Sequence, residues 1–202
     1  LFSNICIRIA EHMSTSISQS IPPGKIVLTY DEYCQLPNDR NRYEILDGEL
    51  SVTPAPAAKH QIALGNLHRI LSIHVFANHS GRLMLAPTDL ILAATTVVQP
   101  DLIYIGKDRS HIVTERGVEG TPTLVIEILS PSTHSNDRQA KAQLYAKYGV
   151  PHYWLLDPDL HFLEAYELSG THYTLIVKAQ GDDVFTTSVF PGLSFQVNEF
   201  WV

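Results

Sequence analysis

The segment Thr123-Leu124-Val125-Ile126-Glu127-Ile128-Leu129 constrains the fold more than any other part of the chain. It is nearly continuous in apolar residues and rich in β-branched ones. It is also cut short by Ser130-Pro131-Ser132-Thr133. A run of that length and kind reads as a central strand covered on both faces, because only such a strand has no water-facing side to supply with polar residues. Layers on both sides of a sheet imply an α/β architecture, here with a mixed sheet. The one acid, Glu127, stands on the same face as Val125 and Leu129, since strand side chains alternate. A carboxylate there must be paired, hydrogen-bonded or bound to a cation. The structural reading, a salt-bridged core Glu, and the functional reading stand level for Glu127 taken alone.

The neighbouring elements follow from local chemistry. Thr29 with Glu32 at the capping-box spacing predicts a short helix through Tyr33 and Leu36. Tyr43–Val52, with Asp47-Gly48 at its centre, predicts a β-hairpin, because both turn residues tolerate positive φ. Residues 57–79 lack proline and carry Ala63, Leu64, Leu67, Ile70, Leu71 and Val75 at three- and four-residue steps, a long amphipathic helix stopped at Gly81. Leu83–Leu92 and Val97–Ile105 read as strands, and 106–120 as a polar loop. A helix is expected over 135–148, closed by Gly149 and Pro151. His152–Asp157 is a strand, Phe162–Leu168 and Tyr173–Val177 form a hairpin, and a last short strand or coil spans Val184–Trp201.

A second acid interrupts a second apolar run: Asp101 in Val97-Val98-Gln99-Pro100-Asp101-Leu102-Ile103. Pro100 cannot donate to a ladder and marks an edge, a strand start or a bulge. Two carboxylates on a shared face repel unless a cation lies between them. Mg²⁺ is held by one or two carboxylates together with waters and substrate phosphates. On the helix after Glu127, Asp137, Lys141 and Tyr145 recur at four-residue steps and share a face. Lys141 is either half of an ordinary surface pair or a cation leaning over the carboxylates.

Composition limits the classes. The 202 residues carry 45% hydrophobic and 17% charged residues, enough apolar surface for a core. No run approaches the roughly 18 apolar residues of a membrane-spanning helix. The net charge of −7 speaks against a polyanionic partner only until it is located. Asp157, Asp159, Glu164, Glu167, Asp182, Asp183 and Glu199 face a single base, Lys178, after residue 156, so the rest of the chain is close to neutral. Two cysteines, Cys6 and Cys34, make no disulfide framework or CxxC pair, which points to a reducing cytoplasm. Residues 1–25 read as a poorly ordered lead-in with Met13 as the expected start, and 26–202 as a single domain. No HxxxH or HExxH zinc pair, GxSxG elbow or phosphate-cradling Gly pattern occurs.

Taken in order, Pro100-Asp101, Glu127 in its strand, Asp137-x3-Lys141-x3-Tyr145 and Gly149-Val150-Pro151-x-Tyr153-Trp154-x2-Asp157-Pro158 resemble the Uma2 family. These are endonucleases, abundant in cyanobacteria, of the PD-(D/E)XK restriction-endonuclease-like superfamily. The resemblance covers about residues 30–200 and includes Tyr43-Glu44-Ile45-Leu46-Asp47-Gly48, His60 and Asp89. It implies a restriction-endonuclease-like core with a mixed sheet flanked by helices, a Mg²⁺ or Mn²⁺ site, and phosphodiester hydrolysis. Asp101 matches the D of the signature and Glu127 its (D/E), which makes them the metal ligands. The regular ExK lysine would fall at 129, where this chain has Leu129. The resemblance assigns that lysine's role to Lys141 on the following helix. Glu44 is either an accessory acid or a solvent-facing hairpin residue. His60 is a phosphate contact or a helix-end His, and Asp89 a brace for the active face or a backbone partner. His152 stands where relatives often carry Glu, and it reads as structural.

The expected activity is that of a Mg²⁺-dependent endonuclease with catalytic Asp101, Glu127 and Lys141, and with nucleic acid, chiefly DNA, as partner. A homodimer stays open and no membrane is involved. The main rival is a catalytically silent nuclease-fold module that binds DNA or another partner, favoured by Leu129 and by the lack of a basic stripe. A two-carboxylate glycosidase is disfavoured because nothing else resembles a sugar cleft.

Overall fold

The computed structural model describes residues 27–37, 39, 41–53, 55–130 and 136–201, with the side chains of 136–138 excepted. The expectations for the lead-in, for Met13 and for the face position of Asp137 lie outside the described residues. The elements run in the order α1 (Tyr30–Tyr33), β1 (Arg42–Leu46), β2 (Glu49–Thr53), α2 (Ala58–Asn78), β3 (Gly81–Leu85), β4 (Leu90–Ala93), β5 (Thr96–Val98) and β6 (Leu102–Gly106). A 3₁₀ turn (Lys107–Ile112), β7 (Val113–Thr114), β8 (Gly117–Glu119), β9 (Leu124–Ile128) and α3 (Asn136–Lys147) follow. The chain continues through β10 (His152–Asp157), β11 (Phe162–Ser169), β12 (His172–Gln180), β13 (Val184–Thr186), β14 (Ser194–Gln196) and a 3₁₀ turn (Val197–Phe200).

The fold is mixed α and β, as expected. One sheet has the order β12-β11-β10-β9-β6-β3, with β9 and β10 parallel and the other pairs antiparallel. A second has the order β2-β1-β5-β4-β8-β7, and β13 pairs with β14 alone. The parallel pair requires a crossover, and α3 supplies it. That passage brings α3 over the sheet against the strand that precedes it.

Alternation along β9 separates two cores. Leu124, Ile126 and Ile128 join Leu67, Leu71, Trp154 and Phe185 on the α2 side. Val125 and Leu129 join Ile103, Leu144, Tyr145 and Leu155 on the α3 side, where the second sheet closes the layer through Leu90 and Val98. The interior strand is therefore buried on both faces, which explains its unbroken apolar run.

Three expectations need correction. Each of the strands Leu83–Leu92 and Val97–Ile105 is two strands in different sheets, divided near Pro87 and Pro100 where the ladder loses a donor. The polar stretch 106–120 forms a 3₁₀ turn and two short strands, because β8 pairs with β4. The long helix ends at His79, whose φ of 48° gives the left-handed cap, rather than at Gly81. Gly81 instead opens β3 opposite Gly106. A Cβ there would lie 2.1 Å from the Ile105 carbonyl oxygen. Gly81→Ala is accordingly expected to cost about 1–3 kcal/mol. Urea denaturation measures it, and an unchanged midpoint contradicts the packing argument.

Candidate active site

The expected hairpin forms with Asp47 and Gly48 both at positive φ, and its register places Arg42 and Glu44 on one face of β1. Asp101 sits at the turn into β6, directly after Pro100. β6 pairs antiparallel with β9 through Leu102↔Ile126 and Ile103↔Val125, so Asp101, just before β6, comes opposite Glu127 of β9. Asp101 and Glu127 are 2% and 7% exposed, and Glu44 and Lys141 are buried with them.

Their contacts form one cluster. Lys141 Nζ donates to Glu127 Oε1 at 3.0 Å and to Glu44 Oε1 at 3.1 Å. Tyr145, one helical turn on, donates its hydroxyl to the same Glu127 oxygen at 2.6 Å. Glu44 Oε1 also accepts the Gln99 backbone N–H at 2.8 Å. Asp101 accepts the Ile128 N–H at 2.7 Å on Oδ2, which lies 3.1 Å from His60 Nε2. Its Oδ1 accepts from Arg42 Nη1 at 3.1 Å. The face shared by Lys141 and Tyr145 thus meets Glu127, while Leu129 fills the core beside Leu144.

Electrostatics follow from burial and pairing. Burial pushes the Asp101 carboxyl up, but His60, Arg42 and the Ile128 N–H outweigh it and hold its pKa at about 2. Burial raises that of Glu127, with Asp101 and Glu44 adding to the effect and Lys141 and Arg42 opposing it. Burial disfavours the Lys141 ammonium, yet Glu127 and Glu44 prevail and lift its pKa above the ordinary lysine value. With the acids ionised, three carboxylates face two fixed cations, so the cluster carries one excess negative charge before His60 is counted.

A cleft of about 650 Å³ opens beside Asp101, with Arg42, Tyr43, Gln61, Asp89 and Gln99 among its lining residues. None of the seven acids of the C-terminal part lines it. Glu164 is instead bonded to Lys178 at 2.8 Å, and Asp159 pairs with Lys59. Asp89 does not join the carboxylate cluster directly. Its Oδ1 accepts from Tyr33 and Gln99 at 2.7 and 2.9 Å, bracing the loop whose N–H holds Glu44. His60 faces Asp101 from the first turn of α2. His152 lies 3.8 Å from Glu167, remote from the cluster's contacts. Sequence reading singled out neither Arg42 nor Gln99. The signal for Arg42 was an Arg-x-Glu spacing on a strand, which puts both side chains on one face.

A family model described as "Uma2: Putative restriction endonuclease" matches residues 30–198. The chain belongs to the Uma2 family. It is 22% identical over 160 residues to the uncharacterised protein sll1609 of Synechocystis sp., a match covering 78% of this chain and 90% of that protein. It is also similar to a crystal structure from Anabaena variabilis ATCC 29413, described as a "putative nuclease belonging to DUF820". The TM-score is 0.69 at 21% identity, over 86% of this chain and 97% of the other, so the Uma2 chain and that protein share a fold.

Proposed function

We propose that this Uma2 chain is a divalent-metal-dependent endonuclease that hydrolyses phosphodiester bonds of nucleic acid, with DNA the expected substrate. The observation that carries the reading is the meeting of Asp101, at the turn into β6, and Glu127, on the neighbouring β9, with Lys141 beside a cleft. The donors are hard carboxylate oxygens with an unbalanced negative charge, the chemistry Mg²⁺ or Mn²⁺ takes. Among the described residues no set of three or more His, Cys, Asp or Glu is assembled to hold a metal ion. The fit is therefore to a cation held by two carboxylates, Asp101 and Glu127, with waters and substrate phosphate completing the shell. When bound there, such an ion supplies polarisation of the scissile phosphate and a lower pKa for the attacking water.

The chain's own residues supply the rest. Lys141 fixes Glu127 and Glu44, and its ammonium would supply positive charge toward a phosphoryl group bound at the two acids. Tyr145 holds the Glu127 oxygen in place, and the Ile128 N–H and His60 orient Asp101. Among the described residues no helix is long and apolar enough to cross a membrane. The cytoplasm is the compartment that fits a nuclease acting on the cell's own or invading DNA.

The rival, a silent nuclease-fold module, draws support from the internal pairing of both acids with Lys141 and Arg42. Plasmid and short DNA and RNA duplexes incubated with Mg²⁺, Mn²⁺ or EDTA decide between them. The expected result is cleavage that needs the cation and stops in EDTA. Folded protein that neither cleaves any substrate nor binds Mn²⁺ calorimetrically favours the silent module. Sedimentation of the same preparation reads whether the active species is a dimer.

A further inference from the structure

The two cations of the cluster face different surroundings. Lys141 is buried with Glu127 and Glu44 and does not line the cleft, whereas Arg42 does. Its side chain is 20% exposed. Nη1 donates to Asp101 Oδ1 at 3.1 Å, and Nη2 lies 3.8 Å from Glu44 Oε1, an ion-pair distance too long for a direct hydrogen bond. Nε is buried and has no partner among the described residues. A guanidinium has five N–H donors, and among the described residues a single direct hydrogen bond is made here. That is an under-used arginine at the mouth of an acidic site.

We propose that Arg42 is the phosphate-binding residue of this site: its guanidinium rests on Asp101 and Glu44 in place of the cation, and turns to a phosphate of the nucleic acid once the cation takes Asp101. The inference rests on the nuclease reading above. Charge arithmetic supports the exchange. With the acids ionised and His60 uncharged, the cluster's one excess negative charge becomes one excess positive with a divalent cation, and a phosphodiester returns it to neutral. A buried charge left unbalanced is costly, so cation and phosphate favour each other's entry. Geometry supports it as well, since the planar fork of an arginine pairs bidentately with phosphate oxygens and a lysine does not. The open cleft beside the side chain gives it room to swing.

Calorimetric titration of Mn²⁺ into wild-type protein, R42M and R42K provides the test. If Arg42 occupies the cation's place, R42M should bind Mn²⁺ roughly tenfold tighter than wild type, with R42K between them. Binding of a fluorescent oligonucleotide gives the second arm. With Ca²⁺ present to slow cleavage, R42M should bind about tenfold more weakly and its salt slope should fall by about one. In EDTA the two proteins should bind alike. If R42M does not fold, wild-type protein still decides, because the Arg42 Nε–H resonance, assigned by its loss in R42K, should shift on adding Mg²⁺. Wild-type protein that takes up no Mn²⁺ removes the metal reading and this inference with it. Mn²⁺ binding that R42M leaves unchanged, equal oligonucleotide losses in Ca²⁺ and EDTA, or an unmoved Nε–H resonance removes Arg42 alone.

Discussion

Glu127→Gln is expected to give a folded protein that no longer cleaves nucleic acid with Mg²⁺ or Mn²⁺. The amide oxygen can still accept from Tyr145 and Lys141, which lie 2.6 and 3.0 Å from the carboxylate oxygen it replaces. Lys141 also keeps Glu44 at 3.1 Å, so its buried ammonium stays paired. Folding therefore loses little, within about 1 kcal/mol. The site loses the negative charge that asks for a cation, and the acids left are Asp101, already engaged by Arg42, and Glu44. Turnover should fall by at least about 10³-fold, roughly 4 kcal/mol of transition-state stabilisation. Cleavage assays, Mn²⁺ calorimetry and circular dichroism on one preparation separate the effects. A wild-type rate in the folded variant takes Glu127 out of the mechanism.

The candidate cluster was legible in the sequence wherever a polar residue broke an apolar pattern. Glu127 and Asp101 stood out because burial is written into the runs around them, and the antiparallel pairing of β6 with β9 brings the two together. Lys141 was legible for a related reason, since helical register tied it to Tyr145 and both reach Glu127. Arg42 lay in a half-buried strand where no unbroken apolar run makes a charge conspicuous. What brings it to Asp101 is the antiparallel pairing of β1 with β5, whose register runs Arg42 toward the Pro100–Asp101 turn, and no local pattern encodes that. The division of residues 83–105 between two sheets was hidden likewise. The prolines marked breaks, but the new partner of each half was chosen by distant strands, with β5 taken by β1 and β6 by β9. Asp89 shows the limit from the other side, because its partners Tyr33 and Gln99 come from separate elements.

Lys141→Met should do the reverse of Glu127→Gln: it should leave the proposed cation ligands in place and strike at stability. Both Glu127 and Glu44 lose their shared ammonium inside a site where both are buried. The formal charge of the cluster goes from one excess negative to two, whereas Glu127→Gln brings it to zero. Removing one partner from a buried ion pair costs about 3–5 kcal/mol, because the remaining charge stays buried and uncompensated. Urea unfolding should show that loss. Adding Glu127→Gln to Lys141→Met should then stabilise the protein, recovering about 2 kcal/mol, although Glu127→Gln alone does not. That change of sign is the mark of a charge-pairing role, and a merely space-filling lysine would not produce it. Catalysis gives an independent reading. Under conditions where Lys141→Met is folded, Mn²⁺ should bind at least as tightly as in wild type, since the ligands have gained negative charge, while turnover drops sharply for want of positive charge at the phosphoryl group. A Lys141→Met protein with wild-type stability and an unaltered cleavage rate would show that the ammonium between Glu44 and Glu127 neither holds the site together nor acts in it.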